Sequence, residues 1–298
     1  PGIYQRFMDK NLKGLEDFCL VYIDDILIYT NDTLEDHYQK LKIVLERVKE
    51  KGLVLSKKKA IIAKNEIDYL GLTISGNGEL KLQDNVIEKL NSFPSKIEDR
   101  KQLQRFLGSL NYISDQGFFK SLAKERRLLQ KKLSTKVLWT WNNNDSILID
   151  KLKNACKNLP KLYNPQSDDY LIVETDASQE TWAGCMKARI NINIQTEKSN
   201  NNKGVERLCK YISGTFSETE QRYPIHEKET LACLKILRKW RIELLSKEFE
   251  LRTDSKYLTG FIHYKIKSNF NQGRLIRWQL ELRQFPAIAK YIRSEQNV

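Results

Sequence analysis

Apolar positions in this 298-residue chain alternate between short runs and helical stripes. Val21-Tyr22-Ile23 and Ile26-Leu27-Ile28-Tyr29 are rich in β-branched and aromatic residues, which favour strands, and they predict a hairpin with Asp24 and Asp25 at its tip. Asn31-Asp32-Thr33 offers helix caps, and Asp36 stands three beyond Thr33 as in a capping box. Leu34, Tyr38, Leu41, Leu45 and Val48 then repeat at helical spacing until Gly52 stops the helix. Runs at 53–55, 60–63 and 67–74 predict strands, with Lys57-Lys58-Lys59 on a connection and Ser75-Gly76-Asn77-Gly78 as a turn.

From about 81 to 160 the pattern is mostly helical. Asp99 is placed to cap a helix whose Leu103, Phe106, Leu107, Leu110 and Ile113 face a core, while Lys101, Arg105 and the stretch 120–132 form a basic face. Trp139 and Trp141 flank a helix start, where aromatics usually pack into a core. Pro160 and Pro165 mark 160–166 as a linker. Strands are predicted at 170–176, 182–189 and 207–214, a helix at 227–240, and a strand at 248–253. Helices at 255–264 and 274–283 and a strand near 288–292 complete the chain, and the Asn- and Lys-rich tract 191–204 has a surface-loop composition. This order predicts a multi-domain α/β protein whose C-terminal part holds a mixed sheet.

Charge sharpens the division. The net charge of +13 implies a polyanionic partner, and it is unevenly spread. Residues 81–164 carry 17 Lys and Arg against 8 Asp and Glu, whereas 1–80 carry 12 against 13. The middle third is therefore expected to grip a nucleic-acid backbone, through contacts that set affinity without reading sequence. Five scattered cysteines without a C-x-x-C pair argue against a disulfide framework or a zinc site and for a reducing compartment. No run reaches the ~20 apolar residues of a membrane span, and none has the form of a signal peptide.

Two carboxylate groups carry the candidate chemistry. Asp24 and Asp25 together repel unless a cation neutralises them, and Mg²⁺ takes carboxylate and phosphate oxygens. Asp176 and Asp254 each end a predicted strand, and a helical carboxylate would complete a second group. Glu227 and Glu229 compete for that place. Glu229 shares the sheet-facing stripe with Cys233, Ile236, Leu237 and Trp240, whereas Glu227 sits on the shoulder beside Arg238, so Glu229 is chosen. Read singly, these aspartates could be turn or cap residues, and His226 a surface residue.

Tyr-Ile-Asp-Asp within strand–turn–strand resembles the catalytic hairpin of reverse transcriptases. The run from Pro1-Gly2-Ile3-Tyr4-Gln5 to Asp9, the stretch Gly52-Leu53-Val54-Leu55-Ser56-Lys57-Lys58-Lys59, and Tyr69-Leu70-Gly71-Leu72 resemble segments around it in the same order. Lys101-Gln102-Leu103-Gln104-Arg105-Phe106-Leu107-Gly108 resembles the thumb, from which Gln116-Gly117-Phe118-Phe119-Lys120 departs. Thr175-Asp176-Ala177-Ser178, Lys228-Glu229-Thr230-Leu231-Ala232 and Arg252-Thr253-Asp254-Ser255 resemble a ribonuclease H domain. The wording is most similar to plant pararetroviruses (caulimoviruses), then to gypsy-type LTR retrotransposons.

The resemblance implies part of a palm over 1–80, a helical basic thumb or connection over 81–164, and a ribonuclease H-like mixed-sheet domain over 165–298. It implies an RNA-directed DNA polymerase with ribonuclease H activity, using two Mg²⁺ or Mn²⁺ per site. Asp24 and Asp25 would be polymerase ligands, and Asp176, Glu229 and Asp254 nuclease ligands. Tyr22, Gln5, Lys58, Tyr69, Leu70, Gly71, Lys101 and Arg105 would touch a DNA primer–template, an RNA/DNA hybrid or the incoming dNTP. Other implied partners are the rest of a polyprotein, including upstream fingers, palm and an aspartic protease, with no membrane. The implied location is intracellular, in host cytoplasm or a virus particle. A further polymerase Asp upstream of residue 1 and a fourth nuclease Asp beyond residue 298 are expected outside this stretch. The rival reading is a catalytically incomplete remnant that only binds nucleic acid.

Overall fold

The computed structural model describes residues 1–120, 122–190, 204–263 and 273–296, and forms two compact units, 1–76 and 77–298. Most of the tract 191–204 expected to be a loop lies outside the described residues.

The first unit begins with α1 (Gly2–Asn11), followed by the antiparallel pair β1 (Cys19–Tyr22) and β2 (Asp25–Ile28). Helix α2 (Leu34–Glu50) starts where the Thr33 side chain accepts from Asp36 N at 3.2 Å. Its buried stripe is Val44 and Val48, packed with Met8, Leu12, Leu15 and Cys19. Leu34, Tyr38 and Leu45, expected on that stripe, are exposed. Strands β3 (Glu66–Tyr69) and β4 (Leu72–Ser75) pair across Leu70 and Gly71, which splits the predicted 67–74 strand. The runs at 53–55 and 60–63 form no strand: Val54 is 95% exposed, Ile61 and Ile62 are exposed, and Lys57–Lys59 is a 3-10 turn. An apolar run becomes a strand only when a neighbour accepts its backbone hydrogen bonds.

The second unit holds β5 (Glu79–Leu82) and four helices: α3 (Asp84–Asn91), α4 (Arg100–Asp115), α5 (Ala123–Lys131) and α6 (Asn143–Lys157). Asp99 caps α4 by accepting from Gln102 N at 2.7 Å, and Leu103, Phe106, Leu107, Leu110 and Ile113 are all buried. Trp139 and Trp141 are only half-buried. Their rings stack at 5.7 Å, with Arg100 over one and Lys132 over the other, so cations cover them where a core was expected. The expected linker is also more ordered than its prolines implied. Its Leu162–Tyr163 is a short strand, β6, paired with β5 and buried.

The remaining strands form one sheet, in the order β11 (Ala287–Tyr291), β10 (Phe249–Thr253), β7 (Tyr170–Ala177), β8 (Thr181–Arg189), β9 (Glu206–Thr215). β10 runs parallel to β7 and β11, and β7, β8 and β9 are antiparallel, which makes the sheet mixed as predicted. Between β9 and β10 come α7 (Glu218–Gln221), α8 (Ile225–Lys239) and α9 (Arg241–Leu244), and α10 (Lys256–His263) and α11 (Gly273–Leu282) follow β10. Leu171, Val173 and Leu251 of the sheet pack with Leu231, Leu234, Ile236 and Leu237 of α8, and with Leu258 and Trp278. That apolar layer fixes the distance between α8 and the strand ends.

Candidate active sites

The hairpin carries the first carboxylate pair. Tyr22 pairs with Asp25, so Ile23 and Asp24 form a two-residue turn and Asp25 opens β2. Ile23 has φ 54°, a left-handed conformation that a β-branched residue adopts only when its surroundings enforce it. Gln5 on α1 supplies the enforcement: its side-chain oxygen accepts from Ile23 N at 2.6 Å and its amide donates to Val21 O at 3.1 Å. Gln5, singled out for substrate contact, is thus occupied as a clamp on the turn. Tyr69 lies near Asp25, and its phenol is pushed up by burial and then by that carboxylate. Tyr22 and Leu70 are exposed beside them, and Leu70 and Gly71 turn the chain with positive φ. Lys58 is exposed in the first unit, as are Lys101 and Arg105 on α4 in the second.

The second group closes more tightly. Asp176 lies near the end of β7, Asp254 follows β10, and Glu229 stands in the first turns of α8. One carboxylate oxygen from each lies within 4.8 Å of the other two. Among the described residues these make the one group of three or more metal-ligating side chains. The caps beside them are made by serines: Ser255 Oγ accepts from Leu258 N to cap α10, and Ser178 Oγ accepts from Thr181 N to close the β7–β8 turn.

Burial and mutual repulsion charge this centre with unfavourable energy. Glu229 is 8% exposed, and burial, then Asp254 and Asp176, push its carboxyl up to about 8. Asp176 is raised by burial and by Asp254. Glu229 Oε2 is buried without a hydrogen-bond partner, a cost of about 1–3 kcal/mol for a polar group. Glu227, the rejected alternative, pairs with Arg274, and Arg238 pairs with Glu281. His226 lies beside Tyr257, ring centroids 4.8 Å apart.

Two contacts were not foreseen. Ser294 Oγ donates to Asp254 Oδ2 at 2.6 Å, and the buried Lys228 donates to Gln179 Oε1 at 2.7 Å, tying α8 to the turn after Asp176. Lys228 had a signal, a lysine beside a stripe carboxylate. Ser294 had none, since its partner is 40 residues away.

A family model for reverse transcriptase (RNA-dependent DNA polymerase) matches residues 1–74, and one for the RNase H-like domain found in reverse transcriptase matches 166–285. Across its whole length the chain is 62% identical to the enzymatic polyprotein of Cestrum yellow leaf curling virus, covering 46% of it. It is 47% identical to that of Soybean chlorotic mottle virus, covering 49%, and 39% identical to that of Cauliflower mosaic virus (strain Strasbourg), covering 42%. The chain belongs to the reverse transcriptase–ribonuclease H region of pararetrovirus polyproteins. It spans about half the length of these relatives, and the family is one of enzymes.

The fold agrees. The foamy viral protease–reverse transcriptase dRH in complex with double-stranded DNA superposes with TM-score 0.77 over 100% of this chain and 50% of that one, at 21% identity. The foamy viral protease–reverse transcriptase in complex with an RNA/DNA hybrid gives 0.74 over 99% of this chain and 38% of that one. Families of this kind use divalent metal ions, and the group Asp176, Glu229 and Asp254 fits one: three carboxylates, all hard oxygen donors, with an unpartnered buried oxygen on Glu229. Among the described residues no helix is long and apolar enough to cross a membrane.

Proposed function

We propose that this region serves an enzyme that copies RNA or DNA into DNA from a primer and hydrolyses the RNA of the resulting hybrid. The observation that carries the nuclease half is the convergence of Asp176, Glu229 and Asp254 within 4.8 Å inside a ribonuclease H-like sheet. In that reading the three residues would hold Mg²⁺ or Mn²⁺, two ions at the site. Bound there, the metals would activate water and stabilise the leaving oxygen.

The chain's own residues do the rest. Asp176 and Asp254 arrive on adjacent parallel strands, so their spacing is fixed by backbone hydrogen bonds before any ion enters. Glu229 would hold an ion as a carboxylate: burial first, and then Asp254 and Asp176, favour its protonated form, and a bound cation would offset both. Ser294 holds one oxygen of Asp254 and restricts its rotation. In the polymerase half, Asp24 and Asp25 are ligands held forward by the clamped turn, and Tyr22, Lys58, Tyr69, Leu70 and Gly71 support the primer–template beside dNTP. Lys101 and Arg105 on the exposed face of α4 contact a phosphate backbone. The palm, thumb and nuclease assignments over 1–80, 81–164 and 165–298 belong to this reading, as do an intracellular setting and the polyprotein's other enzymes as partners.

The test is cleavage of a 5′-labelled RNA/DNA hybrid in Mg²⁺ and in Mn²⁺, by this chain and by the same region within its native polyprotein. Asp176→Asn is the control. Cleavage in the native setting that Asp176→Asn abolishes supports the assignment. Binding of the hybrid with no cleavage in either metal would sink it.

A further inference from the structure

Residues 116–120 lie between α4 and α5 and depart from the thumb wording. Tyr211 N donates to Gly117 O at 2.7 Å, so the segment lies against β9, the outer strand on that side of the five-stranded sheet. The approach is close enough to require glycine. Gly117 has φ +84°, and a Cβ there would fall 2.4 Å from Lys210 Cβ and 3.1 Å from Lys210 Cα. Phe118 and Phe119, buried at 2% and 5%, anchor the next two positions.

The segment continues along β9 in a known direction. Lys124 reaches Glu180 in the β7–β8 turn at 3.0 Å, and Arg127 donates to Phe216 O, just past β9, at 2.9 Å. Gly117 is therefore level with Tyr211, and Lys124 is level with the turn. Between those levels lies the row Asp176–Ala183–Ser213, directly paired across β7, β8 and β9. Lys120 stands in the chain between Gly117 and Lys124, the residues that mark those two levels. It is exposed and, among the described residues, makes no ion pair or hydrogen bond. Its charge is felt at the centre: Asp176 is raised by burial and by Asp254, while Lys120 acts in the opposite sense.

We propose that Lys120 is a substrate-binding residue of the nuclease, docked against β9 level with Asp176 so that its ammonium holds a backbone phosphate of the strand entering the carboxylate centre. A site built from three carboxylates repels a polyanion, and a cation at its margin offsets that repulsion. Lysine suits the task, as a compact charge on a flexible stem that takes phosphate without demanding one orientation. The proposal rests on the nuclease reading of Asp176, Glu229 and Asp254. It assigns to the helical segment a share of the nuclease's own substrate contacts.

The test uses the full chain and its Lys120→Ala and Lys120→Arg variants, with two readouts. The first is hybrid affinity without metal, measured by anisotropy from 50 to 200 mM salt. Lys120→Ala should weaken binding at low salt and reduce the log–log salt slope by about 0.7–0.9, one phosphate contact, and Lys120→Arg should restore both. The second is steady-state cleavage in the native polyprotein, where Lys120→Ala should raise KM several-fold with kcat nearly unchanged. A salt slope identical to wild type overturns the proposal, whether or not the protein cleaves. A wild type that binds hybrid but never cuts it, with the slope still reduced in Lys120→Ala, overturns the nuclease reading and leaves Lys120 as a phosphate contact.

Discussion

At the scale of single residues, Glu229 is the side chain whose state depends most on its surroundings. Its carboxyl, pushed up to about 8 by burial and by two aspartates, keeps a proton that the unfolded chain gives up near its ordinary value of 4.5. Between those two values the native state binds more protons than the unfolded state, so stability falls as pH rises. Thermal melts of the metal-free protein should therefore decline from pH 5 to pH 8 more steeply in wild type than in Glu229→Gln. Divalent metal should recover the loss at pH 8 in wild type and far less in the variant. Ser294 offers a second check. Partners of metal ligands typically contribute about 10–100-fold in affinity, so Ser294→Ala should weaken Mn²⁺ binding by about tenfold in calorimetry.

At the scale of elements, the carboxylates are placed by what lies one row beneath them. Arg252 pairs directly with Glu174 across β10 and β7, two residues before Asp254 and Asp176. It bonds Glu174 at 3.1 Å, Glu250 at 2.6 Å and Glu206 at 2.7 Å, while Lys187 and Lys290 complete the lattice. Glu174 and Glu250 side chains are only 2% and 4% exposed. Removing the cation strands buried charge, so Arg252→Ala should cost about 3–5 kcal/mol in urea unfolding. Glu206, which burial would raise but Arg252 and Arg189 hold down to about 2, gives the lattice a pH signature. Its contribution is present above about pH 4.5 and is lost as pH falls through about 2; Glu206→Gln should flatten that limb of the acid-unfolding curve. In the hairpin, Gln5→Ala removes two hydrogen bonds from a strained turn and should cost about 1–3 kcal/mol by the same assay.

At the scale of the whole molecule, the unit boundary falls at residues 76 and 77, and the helical segment shares its unit with the five-stranded sheet. Arg207 on β9 bonds Glu79 at 2.8 Å and covers the Tyr163 ring at 4.4 Å, and Lys247 donates to Asp169 O at 2.8 Å. A fragment of 77–298 should therefore melt as one cooperative body. A fragment of 165–298, cut at the prolines that read as a linker, loses Glu79, Gly117 and Arg127 as partners and exposes β9 as a free edge. It should melt lower, by a few °C for each kcal/mol lost, and should aggregate where the longer fragment does not.

Much of this was legible because it is local. Alternation and 3.6-residue periodicity depend on neighbours a few positions away, so the sheet strands and α8 fall within a residue or two of expectation, and the Leu103–Ile113 stripe is buried as read. The same rule chose Glu229 over Glu227. It failed where burial depends on a distant partner. Val54, Ile61 and Ile62 are apolar and exposed, α2 buries Val44 instead of Leu45, and the two tryptophans stack under cations rather than in a core. The sequence by itself determined which residue types end each strand and which face of each helix is apolar. Only the tertiary structure decided that Arg252 lies under the carboxylates, that Ser294 reaches Asp254, and that Gly117 lies against Tyr211. Those contacts join residues tens of positions apart, and their geometry exists only once strand register and helix packing have closed the intervening chain.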